Sequence, residues 1–286
     1  MLMLLRDALF PLIVFLHALL IGAPANHGRG RFARATYGVR RVGQLPTKLR
    51  ESSGLARADS LQGLWSHGDG GAPARLELVA LSGAPLRTLD LPLLVNVDWE
   101  DLAQDRAGNL YIGDFGNNRN QRQDLAIYRL HPGAGPLPVV DTIAFRYPDQ
   151  HAFPPGRGRR NFDCEAFFWH ADTLHLFSKD RSLRQWTKHY TLPARPGRHV
   201  ATLRDSIRLN RPITAADISP DGRTVALLAY GGVFLFSRQL GQRLFDGPKR
   251  FRALPATGQA EGLVFVNDST FVVSNEKGKL FRATPR

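Results

Sequence analysis

The chain has 286 residues, 43% of them hydrophobic and 22% charged, a composition that supports a buried core and excludes collagen, coiled coil and wholesale disorder. Its net charge of +13 raises a nucleic-acid role, yet the basic residues are scattered, clustering only at His27 to Arg34 and Arg157 to Arg160. No aromatic-interleaved module accompanies them, so no specific nucleic-acid partner is expected, and the single Cys164 excludes both an intramolecular disulfide and a thiolate metal cluster.

The first residues read as an export signal: Arg6, an apolar run from Ala8 to Ile21, then Gly22-Ala23-Pro24-Ala25 with small residues suited to cleavage after Ala25. The expected destination is the periplasm or the extracellular space, with no stable membrane span once residues 1–25 are removed. Asp7, Pro11 and His17 interrupt the signal pattern, so a retained short anchor is the alternative. Residues 26–35 read as a flexible basic tail, and 36–286 as one domain.

From Tyr37 onward the chain consists of short runs rich in Val, Ile, Leu, Phe and Tyr, bounded by Gly, Pro, Asn and Asp, which is an all-β pattern. A unit recurs five times, beginning at Ser53, Glu100, Glu165, Thr214 and Glu261. Each start is followed by a turn and a second strand, as in Leu110-Tyr111-Ile112-Gly113-Asp114 and Phe271-Val272-Val273-Ser274. Third and outer strands complete four per unit, which predicts a five-bladed β-propeller with four-stranded antiparallel blades. The last unit stops after its third strand, and an orphan strand, Tyr37 to Leu45, precedes the first. The simplest account is that this N-terminal strand completes the last blade and closes the ring, hiding edges that would otherwise pair with other chains. A monomer is expected. Only the second interval is long, and its Pro-, Gly- and Arg-rich segment from Asp149 to Arg160 reads as an exposed loop.

In a propeller the first strand of each blade lines the central channel, so Ser53, Glu100, Glu165, Thr214 and Glu261 are expected to converge. Three carboxylates brought together repel one another and lose hydration, a cost that raised pKa values or a bound cation relieve. All five side chains offer oxygen and none is His or Cys, which favours a hard ion, calcium before magnesium. The other reading is a water-filled channel in which these residues cap the strands.

The order Ser, Glu, Glu, Thr, Glu, with the strings Glu51-Ser52-Ser53-Gly54-Leu55, Asp98-Trp99-Glu100 and Glu261-Gly262-Leu263, resembles the calcium-activated apyrases. The resemblance implies a five-bladed propeller with a calcium ion in its tunnel, Thr214 standing where that family has serine. The strings Asn96-Val97-Asp98-Trp99-Glu100-Asp101-Leu102-Ala103 and Tyr111-Ile112-Gly113-Asp114-Phe115-Gly116-Asn117-Asn118 are similar to secreted propellers common in Bacteroidetes, which implies no activity. The Glu-Gly-Leu strings also resemble esterase-like phytase propellers, at the level of fold alone.

The loops after the second strands share one face of the ring, and they supply the ligand-binding candidates Asp69, Asp114, Asn118, Arg119, Lys179, Asp180 and Arg181. The aspartates suit acid, base or metal-ligand roles and the cations suit an anion, although Asp-Gly and Gly-Asn-Asn strings are turn formers in their own right. His175 and His189 lie within β runs and are expected to pack. No Gly-x-Ser-x-Gly opens a helix, which disfavours serine-hydrolase chemistry. Three functions fit: an exported ligand-binding propeller for a small molecule or envelope component, a calcium-dependent phosphohydrolase with Lys179 or Arg181 stabilising charge, or an assembly scaffold.

Overall fold

The computed structural model describes residues 31–49, 51–58, 63–131, 138–182 and 184–286. Five antiparallel sheets stand in a ring, each starting from an inner strand: Ser52–Ala58, Trp99–Gln104, Asp163–His170, Ile213–Ile218 and Ala260–Phe265. Each inner strand packs beside the next around the axis, so the fold is the predicted five-bladed propeller. The apolar residues alternate in direction and are buried on both sides. In blade 3, Phe167 joins a cluster shared with blade 2, while Ala166 and Phe168 join one shared with blade 4. An apolar cluster of this kind fills every blade–blade interface, which is why no helix is needed to cover the sheets.

The ring closes as the orphan strand required. Tyr37–Gln44 pairs antiparallel with Lys279–Pro285 and becomes the outer strand of blade 5. Two further short strands pair in parallel with outer edges: Gly197–Val200 on Val139–Arg146 of blade 2, and Ala33–Arg34 on Lys249–Ala253 of blade 4. The second begins within the segment read as a basic tail. Phe32 anchors it, its ring centroid 5.1 Å from that of Phe234, so apolar burial attaches this segment upstream of position 36. The expected cleavage site and residues 1–25 lie outside the described residues. Among the described residues no helix is long and apolar enough to cross a membrane.

Candidate functional site at the channel mouth

In all five blades the inner strand carries a β-bulge at the position that the repeat marked. Ser53, Glu165, Thr214 and Glu261 each interrupt the pairing with the second strand, and in blade 2 Glu100 and Asp101 together stand opposite Gly113. A bulge breaks the two-residue alternation and re-aims a side chain, here out of the blade interface and toward the axis. Ser53, Glu100, Glu165 and Thr214 are buried, and Glu261 is partly so.

Inside the channel these groups divide into two sets. The first is neutralised by the protein itself. Glu165 accepts Lys179 Nζ at 2.8 Å and an Arg181 guanidinium nitrogen at 2.7 Å, and Arg181 also bonds Asp163. Burial disfavours the Lys179 ammonium, but Glu165 and Glu261 hold its pKa above the ordinary value. Burial pushes Glu261 up to about 8, and Tyr230 donates its hydroxyl to Glu261 Oε1 at 2.9 Å. The Thr214 hydroxyl donates to the Ala260 carbonyl at 2.8 Å. Three of the five ring residues thus have protein partners for their oxygens.

Among the described residues no Lys or Arg forms an ion pair with the second set. Asp69, Asp98 and Glu100 each bring one carboxylate oxygen to within 4.8 Å of the other two. Burial, then the charges of Asp163, Asp69 and Glu165, pushes Asp98 up to about 7, and burial with Glu165 raises Glu100 well above the carboxylate range. The loops hold these groups together. Asn96 Nδ2 donates to the carbonyls of Gly68 (3.1 Å) and Asp69 (2.9 Å), and the Asp98 amide donates to Asp114 Oδ1 at 3.2 Å. The walls fit closely: a Cβ on Gly116 would stand 2.2 Å from Glu100 Oε1, and one on Gly70 would stand 2.6 Å from Asp98 Oδ1. An all-oxygen set of mutually repelling carboxylates in a fitted recess has the donor chemistry of a hard divalent-cation site.

The loop candidates separate in the same way. Asp69, Lys179 and Arg181 reach the mouth, and Arg181 bonds Asn118 there. Asp114 is buried and bonded to Arg122 at 3.0 Å, so it positions the Asp98 backbone. Arg119 is exposed on the same loop. Asp180 lines a separate cavity and closes its own turn, accepting the amides of Ser182 and Trp186. His175 and His189 hydrogen-bond each other at 2.9 Å and stack on Phe168 and Phe177. Burial pushes the Cys164 thiol up, which leaves it unreactive.

Sequence reasoning did not single out two residues that matter. Asp98 lies within a quoted string, and its position before Trp99 hid its place in the mouth. Asp101 is fully buried beneath the ring, accepting the amides of Leu102 (2.9 Å), Phe167 (3.1 Å) and Ala216 (3.2 Å), so one carboxylate ties blades 2, 3 and 4. Asp217 repeats the device, accepting the Phe265 amide of blade 5 at 2.7 Å. A recess of about 230 Å³ lined by all five inner strands opens at that opposite end.

No protein-family model matches the chain, and no curated protein matches it in sequence. Among solved structures it is similar to a PQQ-bound aldose sugar dehydrogenase of Streptomyces coelicolor, at 9% identity and a TM-score of 0.52, covering 89% of this chain and 100% of that one. It is also similar to a gluconolactonase of Xanthomonas campestris, at 14% identity and a TM-score of 0.49, covering 92% and 97%. The first likeness shows the fold.

Proposed function

We propose that the protein is an exported small-molecule-binding propeller whose channel mouth holds a calcium ion on Asp69, Asp98 and Glu100. The observation that carries this reading is the meeting of three carboxylate oxygens within 4.8 Å of one another, with no ion pair to any described Lys or Arg. The ion then belongs on the side of blades 1 and 2, with Ser53 nearby in the ring, while Glu165, Thr214 and Glu261 shape the rest of the channel. When bound, a divalent cation orients and polarises ligand oxygens. Arg119 and Arg181 stand on the adjoining loops, where a ligand anion can meet them. Outside the cell, calcium sites of about 10⁻⁴–10⁻³ M affinity are filled, which fits a site with three acidic ligands and an open side.

The test is calcium titration by calorimetry together with melting curves in chelator and in millimolar calcium. An ion bound only to the native state raises stability by about 2.7 kcal/mol at a hundredfold excess over its dissociation constant. Asp98→Asn is expected to weaken that binding at least tenfold while the fold persists. A melting temperature indifferent to chelator and to calcium leaves the channel filled by water and overturns the proposal. Phosphate release from nucleoside di- and triphosphates, measured in parallel, moves the reading to a calcium-dependent phosphohydrolase if it requires Asp98 and calcium.

A further inference from the structure

A cavity of about 420 Å³ lies between the insertion that ends blade 2 and the loop joining the second and third strands of blade 3. Its volume falls within the range of small-ligand pockets, about 300–1,000 Å³. The charges on its walls are unequally satisfied. Asp149 accepts Lys188 Nζ at 2.7 Å and the Tyr190 hydroxyl at 2.9 Å, and Asp180 is taken up by its own turn. Arg159 and Arg184, one from each wall, have no hydrogen-bond or ion-pair partner for their guanidinium groups among the described residues. The Arg184 guanidinium lies across Gly158, 3.3 Å from where a Cβ would stand, so the two walls meet at a cationic corner. Two guanidiniums on the walls of one cavity, neither ion-paired to the Asp149 or Asp180 that share its lining, present ten N–H donors in planar forks suited to an oxyanion. Beside them Trp186 is 39% exposed and forms part of the lining. An indole face set next to carboxylates with lone pairs to spare suits a ring that carries hydroxyl groups.

We propose that this cavity binds an acidic monosaccharide, its phosphate or carboxylate held between Arg159 and Arg184 and its sugar ring lying on Trp186. The site is independent of the ion at the channel mouth, because none of its lining residues belongs to the acidic cluster there.

The experiment follows tryptophan fluorescence of the full-length mature chain in chelator while a hexose phosphate, a hexuronate, the neutral hexose and inorganic phosphate are titrated separately. Trp186 is the exposed one of four tryptophans; Trp65 and Trp99 are buried and Trp169 is partly so, which makes it the main reporter. Saturable quenching by the hexose phosphate or the hexuronate, at least tenfold tighter than by the neutral hexose or inorganic phosphate, is the expected result. The tighter of the two acidic sugars identifies the anion. Arg184→Ala and Arg159→Ala, both at exposed positions, are each expected to weaken binding about tenfold, the loss that one charge-assisted contact carries. Trp186→Phe, read by calorimetry, keeps a flat face and is expected to retain most of the affinity, whereas Trp186→Ala is not. Absence of saturable quenching at millimolar sugar, equal affinity for inorganic phosphate, or binding unchanged in both arginine variants overturns the proposal. Binding that appears only when calcium replaces the chelator would assign it to the channel mouth instead, and overturns it equally.

Discussion

Asp101 offers the most direct measurement of how the axis holds the ring together. Its carboxylate receives three backbone N–H groups from three blades, at 2.9, 3.1 and 3.2 Å, in a site with no access to water. Asp101→Ala removes every acceptor at once and leaves three buried donors that no side-chain substitution can delete. Each costs about 1–3 kcal/mol, giving about 3–9 kcal/mol in total. The substitution also removes a buried charge whose desolvation raises its pKa well above the usual range, and that relief moves the net loss toward the lower figure. Even about 3 kcal/mol is a large part of the 5–15 kcal/mol that typically separates folded from unfolded chains. Asp101→Asn is expected to fall in between, because its carbonyl oxygen can take the position that serves Phe167 and Ala216 and so leaves one donor unmet. Urea unfolding followed by circular dichroism measures the series, which should run wild type, Asn, Ala with an unchanged slope. If Asp101→Ala unfolds within about 1 kcal/mol of wild type, the blades are held by their apolar interfaces alone and the carboxylate is dispensable.

Glu165→Gln leaves Lys179 and Arg181 in the channel with one less charge to meet them, so it should destabilise the fold by about 3–5 kcal/mol in chelator and in calcium alike. Adding Lys179→Met should restore part of that loss in a double-mutant cycle. Burial holds Asp217 at about 7 against 3.8 for a free aspartate, so the folded chain binds this proton more tightly than the unfolded chain. Its contribution to stability is therefore complete below about pH 4 and is lost as pH rises through about 7; Asp217→Asn should flatten the decline in unfolding free energy between pH 5 and 8. Deleting Tyr37–Gln44 bares the edge of Lys279–Pro285 and should produce concentration-dependent association on size-exclusion chromatography, where the full ring is expected to elute as a monomer.

The sequence by itself determined the blades. Runs such as Val225-Ala226-Leu227-Leu228 and Phe271-Val272-Val273-Ser274 carry local alternation and turn residues that specify strands over a few positions, and their recurrence specified five units and the closing strand. It also marked the bulged position in every inner strand, because a polar residue recurs there ahead of an apolar run. What each of those residues does was decided only by the tertiary structure. A bulge suspends the alternation that tells one face from the other, so the sequence pointed to Glu100 and passed over Asp101, which lies one residue on and meets the amides of two other blades. Glu165 reads like Glu100, yet of the two only Glu165 is met by Lys179 and Arg181. The acidic site at the mouth draws on loops of different blades, Asp69 from one and Asp98 from the next, and their closeness rests on packing between sheets, for which a single sequence carries no periodic signal.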